Sequence, residues 1–422
     1  MAHLSPLNKR HQDTEVSFLE FASPDAPDRV AHVVETFGEI EAEYAAIRKG
    51  AVLLDLPHRA TIRVTGSDRI EFLNRMLTQE LRPGGTTLPP GSAVSSFWLN
   101  RKGRIDADIQ LIELGAYPDE SPPPSPLPAD SMYLDTDILA APHLVSTLAA
   151  FIFSEDITLT DIAEQTHRFA LHGPSSARLL ADLSTLVRED LPPVESIRHG
   201  QATMLRIADH PVLVHRIDQT GEIGLELTVP LEGATEVFDA IAQHARTDHG
   251  HNNDPATDRY RLRHAGWHAF NIARIEAGTP LFQIDFGPTN LPHETGVLHD
   301  RVNFRKGCYL GQEVVARMES LGHPKQILCC IRVDPGHRDE QDQPYTGCAV
   351  VPATDDAVPT PETKPVGGVT SSCRSPMLGD AVLCFAMLKW SHREPGTPLH
   401  VQTPSGWVRA KVEASLAAWS KQ

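Results

Sequence analysis

The sequence predicts an α+β fold that ends in a small β-barrel, and three observations carry that prediction. Apolar positions switch repeatedly between a two-residue and a helical period from Val33 to residue 325. Beyond that point only short apolar runs remain, separated by proline- and acid-rich stretches, which is the pattern of a small antiparallel barrel. The chain has 422 residues, and at ~150 residues per domain it has room for two or three domains.

Taken in order, residues 1–30 are polar and interrupted at Ser23-Pro24 and Ala26-Pro27, so a flexible lead-in is expected. A helix is predicted over Val33–Lys49, stopped by Gly50. Strands follow at Ala51–Leu54 and Thr61–Val64, the second ended by Gly66. Ser67 or Asp68 can then cap a helix bearing the stripe Ile70, Leu73, Leu77, with Met76 beside it. Residues 92–114 read as a hairpin turning at Asn100–Gly103, whose second arm alternates apolar Ile105 and Ile109 with acidic Asp106 and Asp108. The proline tract 117–130 suits neither helix nor interior strand and is expected to be an exposed insertion. Met132–Phe153 reads as a strand and a helix, and Phe169–Gly173 as a strand turning into a helix near Ser175. Barrel strands are predicted at Ile327–Val333, Val366–Ser371, Ala381–Leu388 and Trp407–Val412, around loops 334–346 and 352–365. The resulting divisions are a first α+β subdomain at 31–165, a second at 166–325 and the barrel at 326–422.

Composition excludes several function classes. With 41% hydrophobic and 22% charged residues the chain is an ordinary globular protein, not a disordered one. A net charge of −17 gives no general attraction to nucleic acid or anionic lipid, so direct nucleic-acid contact is not expected. The longest apolar run, Ala381–Leu388, is far below the ~20 residues of a membrane span. The first residues, MAHLSPLNKRHQ, contain no apolar core of a secretory signal. The six cysteines, Cys308, Cys329, Cys330, Cys348, Cys373 and Cys384, form no C-x-x-C and no disulfide framework, which points to a reducing, cytoplasmic location. They are also too dispersed to ligate a cluster. P-loop, dinucleotide-binding, hydrolase-elbow and zinc-protease motifs are missing. His264 and His268 stand four apart on an expected helix, but nothing near them completes a metal site.

Four constellations carry chemistry. In Asn303–Met318, Gly307 and Gly311 flank a Cys-Tyr pair, so the backbone there is expected to turn tightly or to approach something closely. Gln312–Glu319 then reads as a short helix, with Glu313 and Arg317 spaced to pair and Gly322 able to end it. Cys308 would precede a helix N-terminus, near Arg305 and Lys306 in sequence; both features lower a thiol pKa, while from the chemistry alone a small residue filling a gap under the loop is the weightier reading. In Gly221–Glu226, two glycines bracket Glu222 and Glu226, which a pleat would turn to one face, able together to bind the N–H edge of a heterocycle. Arg274 sits on an otherwise apolar helical turn ended by Gly278 and requires an anionic or π-rich partner. The hairpin acids Asp106 and Asp108 form the fourth.

The run Lys306-Gly307-Cys308-Tyr309-x-Gly311-Gln312-Glu313, continued by Val-Val-Ala-Arg-Met and preceded by Asn290-Leu291-Pro292-His293-Glu294, resembles the signature of the YgfZ family. These are folate-binding proteins of iron–sulfur enzyme maintenance, related to the glycine cleavage T-protein. Asn100-x-x-Gly103, Gly221-Glu222-x-Gly224-x-Glu226, Arg274–Gly278 and Gly368–Pro376 follow in the order of the wider aminomethyltransferase superfamily, so the resemblance spans residues 35–415. It implies a three-subdomain cloverleaf around a folate-sized cavity, closed by a C-terminal β-barrel. Glu226, with Glu222 near, would hold the pterin of tetrahydrofolate or a one-carbon derivative, and Arg274 would line the same pocket. Asp108 best matches the acid beside the folate nitrogens, with Asp106 two residues away on the same face. Cys308 would be the functional thiol.

The implied activity is that of a folate-dependent accessory factor for iron–sulfur client proteins or their assembly machinery. A folate-dependent methyl- or aminomethyltransferase is the alternative, and a folate-dependent tRNA-modification factor the second. T-proteins commonly show a double Asp where this chain has Asp106-Ala107-Asp108, and Ala-Arg-Asp where it has Ala269-Phe270-Asn271.

Overall fold

The computed structural model describes residues 2–14, 16–23, 29–115, 127–128, 131–247, 260–334, 342–353, 359–360 and 362–418. Apart from 127 and 128, the expected insertion at 117–130 lies outside the described residues. The elements run β1 (Ala2–His3), α1 (Asn8–Gln12), β2 (Ser17–Ala22), β3 (Val30–Thr36), α2 (Ile40–Lys49), β4 (Ala51–Asp55), β5 (Arg59–Thr65), α3 (Arg69–Met76), β6 (Ser92–Leu99), β7 (Ile105–Glu113), β8 (Met132–Asp137), α4 (Ala141–Ala149) and β9 (Thr158–Asp161). They continue with β10 (Thr166–His172), α5 (Ser176–Leu183), β11 (Thr185–Leu186), β12 (Ala202–Ile207), β13 (His210–Arg216), β14 (Gly224–Pro230), α6 (Ala234–Thr247), β15 (Leu262–His264), α7 (Trp267–Glu276), α8 (Leu298–Arg301) and α9 (Gln312–Leu321). The last strands are β16 (Gln326–Val333), β17 (Ala349–Pro352), β18 (Gly367–Ser375), β19 (Ala381–Lys389), β20 (Pro398–Thr403) and β21 (Gly406–Val412).

The chain divides into two compact units: residues 1–98, 107–218 and 222–270 form one, and residues 99–106, 219–221 and 271–422 the other. In the first unit a seven-stranded sheet has the order β11-β12-β13-β14-β10-β4-β15, a five-stranded sheet the order β6-β7-β8-β5-β9, and a small sheet the order β1-β3-β2. One face of the large sheet buries Phe169, Leu171, Val212, Val214, Leu225 and Leu227 against α5 and α6. Its other face packs Ala202, Met204 and Leu213 on Ile112, Leu114 and Tyr133 of the five-stranded sheet. The central strands β4, β10 and β14 are therefore buried on both sides, while the edge strand β11 is exposed. The second unit contains the expected barrel, closed in the order β16-β19-β18-β17-β20-β21.

Several expectations are corrected. Where the lead-in is described it carries regular structure: residues 2–14 supply β1 and α1, and Leu7 and His11 are buried. The cause is Asp55, a buried carboxylate that needs donors; Ser5 Oγ donates to it at 2.5 Å and His11 Nε2 lies at 2.9 Å. The helix expected from Val33 begins only at Ile40, because the β-branched run Val30–Thr36 pairs as β3 and Gly38, at φ +94°, breaks the chain. Gly50 ends α2 as expected. The division at 165/166 does not separate two sheets, since β4 from the expected first subdomain pairs with β10 from the second. Two barrel strands were not foreseen, β17 and β20; one ends and the other starts with a proline, at the rim positions where a strand tolerates it.

Candidate functional site: a buried charge layer and an exposed thiol

The alternation of β14 sends Leu225, Leu227 and Val229 into one core and turns Glu226 and Thr228 to the opposite face. That face meets the five-stranded sheet. Glu226 pairs in register with Ala170 on β10 and His215 on β13, and Arg168, two residues from Ala170, shares the face. Arg168 Nη1 donates to Glu226 Oε2 at 3.1 Å, and its Nη2 donates to Thr61 Oγ1 at 3.0 Å and lies 3.1 Å from Asp135 Oδ1 on the facing sheet. Arg59 Nη2 holds the other oxygen of Asp135 at 2.7 Å. Two carboxyl groups and two guanidiniums thus meet in one layer, buried except at the edge where Arg59 is partly exposed.

The layer is not evenly satisfied. Burial raises the pKa of Glu226, and the Asp135 charge adds to that rise. Burial also works to raise Asp135, but the charges of Arg168 and Arg59 outweigh it and bring its pKa down. His215 is fully buried, its Nε2 is 3.9 Å from Glu226 Oε2, and neither ring nitrogen has a hydrogen-bond partner. Burial, aided by the Arg168 charge, lowers its pKa to about 3, so the imidazole is neutral. Asp135, His215 and Glu226 offer ligand atoms within 4.8 Å of one another. The carboxylates already neutralise Arg59 and Arg168, and a cation would sit against both guanidiniums.

Asp108 shares a sheet face with this layer. Gln110 of β7 pairs with Asp135 of β8, and Ile112 and Leu114 pack between the sheets, so the two-residue period puts Asp108 on the same inner face. Asp106 is one step further along and accepts from Asn100 Nδ2 at 2.8 Å, which ties it to the hairpin turn. Sequence reasoning had placed Asp108 and Glu226 on separate elements; the structure puts them on facing sheets of one unit. Glu222 does not behave as the pleat argument required. It precedes β14, and its buried carboxylate lies 4.0 Å from Arg48 Nη1, not beside Arg168.

Arg274 is fully buried and finds both kinds of partner expected for it. Its Nη1 donates to Asp285 Oδ2 at 2.5 Å and its guanidinium lies 5.5 Å from the Phe385 ring centre. Asp285 also accepts from Thr370 Oγ1, Ser371 Oγ and the Leu281 N–H. This node joins α7 to the barrel inside the second unit.

The signature motif lies in the same unit. Cys308 is exposed while the other five cysteines are buried in and around the barrel. Burial pushes Cys329 up to about 11 and Cys330 up to about 12, and raises Cys373 and Cys384 as well. Asn303 Oδ1 accepts from the N–H groups of Arg305 and Lys306, shaping the loop, and Lys306 Nζ sits 5.5 Å over the ring of buried Tyr309. Of the two glycines, only Gly311 meets the expectation of a close approach. It caps α9 at φ +79°, and a Cβ there would stand 2.6 Å from the Asn100 carbonyl of the hairpin turn. Gly307 has open space around it. Helix α9 forms and ends at Gly322 as expected, with Gln312 as its first residue. Glu313 is exposed and forms no ion pair with Arg317. His264 and His268 belong to a strand and a helix; His268 Nε2 pairs with Glu35 at 2.8 Å while His264 packs against Phe37 and Phe238.

Asp135, Arg168, Arg59 and His215 were missed from the sequence. The available signal was a charge on the inward phase of an apolar strand, as in Met132-Tyr133-Leu134-Asp135 and Val212-Leu213-Val214-His215. Only pairing tells which phase is inward.

Residues 7–306 match the family model of the GCVT N-terminal domain, and residues 328–417 match that of the glycine cleavage T-protein C-terminal barrel domain. The chain belongs to the GCVT family. Among its relatives, an "Aminomethyltransferase" of Cutibacterium acnes is 27% identical over 385 residues, covering 90% of this chain and 88% of that one. A "Probable aminomethyltransferase" of Halobacterium salinarum is 25% identical over 409 residues, covering 94% of each. The crystal structure of the glycine cleavage system aminomethyltransferase T from Bartonella henselae shares the fold, with a TM-score of 0.75 at 20% identity over 99% of this chain and 98% of that one. The GCVT-type α/β fold with a six-stranded barrel is thus shared. Among the described residues no helix is long and apolar enough to cross a membrane.

Proposed function

We propose that this GCVT-family chain binds tetrahydrofolate or a one-carbon derivative and serves iron–sulfur proteins in the cytoplasm through the thiol of Cys308. The observation that carries the proposal is the exposure of Cys308, alone among six cysteines, on a loop shaped by Asn303 and ended at the tight Gly311 contact. A thiol kept only for packing would be buried like the other five.

Folate binding draws its support from the donor set. Glu226 is a buried carboxylate whose ionisation is disfavoured, beside an imidazole with no hydrogen-bond partner. A carboxylate in such a place matches the amidine N–H edge of a pterin, which supplies two donors in register. Glu222 is a second buried acceptor on the same loop-strand segment, and Asp108 is the acid for a proton at the folate nitrogens. Tetrahydrofolate would supply the carrier nitrogens for a one-carbon unit; the chain's own residues bind the ring, keep water out and hold the proton.

A second function, aminomethyl transfer, draws support from the names of the relatives. The two part at one residue each. Rescue of a strain lacking this protein, read as the activity of a cluster-dependent enzyme at equal protein abundance, compares Cys308→Ser with Asp108→Asn. Failure of the cysteine variant alone supports the iron–sulfur function. Failure of the aspartate variant alone overturns it in favour of one-carbon transfer.

A further inference from the structure

The hairpin turn 99–106 packs on the start of α9: a Cβ at Gly103 would lie 2.8 Å from Val314 Cβ, and one at Gly311 would lie 2.6 Å from the Asn100 carbonyl. Both segments belong to the second unit. The turn that carries Arg101, Lys102 and Arg104 therefore meets the first turn of the helix that carries Arg317, and Arg305 lies in the Cys308 loop that leads into Gly311. All five are exposed. None forms an ion pair with a carboxylate among the described residues, and the one fixed contact, from Arg104 Nη1, goes to the Thr289 carbonyl, which leaves the charge uncompensated. Residues 99–106 and 301–318 together hold seven basic and two acidic side chains, in a chain whose net charge is −17. The acids there are Asp106, engaged by Asn100, and exposed Glu313.

We infer that this cationic surface around Cys308 docks an acidic patch of a protein partner. The inference rests on Cys308 being the working thiol, and it adds what that thiol is presented to. Local positive charge within a strongly negative molecule steers an encounter to one face and repels acidic surfaces elsewhere. Nucleic acid suits the surface less well. A duplex carries a charge every ~1.7 Å and would run off the patch onto a repelling surface. The patch also lacks a stacking platform, since Tyr309 is buried and Phe304 lies edge-on to His293 and His299.

The test titrates the full chain with a fluorescent 20-residue peptide rich in Glu and Asp, a lysine-rich peptide of equal length and a single-stranded 20-nucleotide RNA, at low and high salt. The acidic peptide is expected to bind, weaken more than tenfold between 50 and 300 mM salt, and weaken at least tenfold in Arg101→Glu/Lys102→Glu/Arg305→Glu. The milder Arg101→Gln/Lys102→Gln should show a threefold loss, with circular dichroism confirming that both variants are folded. Equal binding by wild type and the triple variant overturns the inference, as does RNA binding more than tenfold tighter than the peptide. Cys308→Ser should keep peptide binding, so a failure of the thiol function and a failure of the docking surface give different results.

Discussion

Arg168 and Arg274 are both fully buried guanidiniums on secondary-structure elements, one in each unit, and their surroundings differ in kind. Arg274 meets a single carboxylate, Asp285, whose oxygens are filled by two hydroxyls, one backbone N–H and the arginine itself. Arg168 stands between two carboxylates, of which Asp135 is shared with Arg59 and Glu226 resists ionisation, with a neutral unpartnered histidine alongside. At the first node both Asp285 oxygens are engaged and the ion pair and ring contact staple α7 to the barrel, while the buried Nη2 of Arg274 has no hydrogen-bond partner. The second holds an acid that resists ionisation and an imidazole with no hydrogen-bond partner, the groups assigned above to the proposed folate site.

Breaking each node should show this difference, and the largest effect belongs to the staple. Arg274→Met leaves Asp285 charged and buried, and urea unfolding should show a loss of ~3–5 kcal/mol. Arg168→Met is expected to cost less, ~2–3 kcal/mol at pH 8, because Arg59 still holds Asp135. That loss should shrink toward pH 5, since Glu226 can take up a proton; a loss that stays constant between the two pH values would make the two nodes equivalent.

A pH profile sharpens the comparison. Burial lowers His172 to about 4, with Asp218 opposing, and its Nδ1 has no partner. Between the ordinary histidine value near 6.5 and that depressed value, the unfolded chain binds the proton and the folded chain does not. Stability therefore falls as pH drops through this window, by up to ~1.4 kcal/mol per pH unit for one group. His172→Gln should remove about that slope from the unfolding midpoint measured between pH 6.5 and 4.

Glu226→Gln tests the site at smaller energetic cost. The folded pKa of Glu226 lies above its unfolded value, so its ionisation opposes folding at pH 8. The amide should change stability by no more than ~1 kcal/mol, neutral or favourable in sign, while tetrahydrofolate titration shows weakened binding. A large stability loss with intact folate binding would make Glu226 a staple as well. Smallest of all, Cys308→Ser should leave the midpoint within ~0.5 kcal/mol. One thiol of the native chain should be alkylated quickly, against six in denaturant.

Local signals were enough for much of the fold. The hairpin at Asn100–Gly103, the helix after Gly311, the helix stop at Gly50 and most barrel strands follow from period, turn chemistry and glycine placement, all of which act over a few residues. Val33–Thr36, the start of the expected helix, belongs instead to the strand Val30–Thr36, because its β-branched residues answer to pairing with β1 and β2, which lie elsewhere in the chain. The lead-in was misread because its order depends on Asp55, some fifty residues away.

The same division runs through the site. The sequence by itself determined the thiol motif, the presence of Glu222, Glu226 and Asp108, and the need of Arg274 for an anion and a ring, since each is a property of residue type and near neighbours. Only the tertiary structure decided that Glu226 faces Arg168 and Asp135, that Glu222 turns to Arg48, that Asp285 answers Arg274, and that the hairpin turn packs on the start of α9. The physical reason is that charge pairing acts through space at a few ångströms. Which charges come that close is set by strand order, register and the packing of helices and loops, which join Arg168 to Glu226 across 58 positions and Glu222 to the distant Arg48.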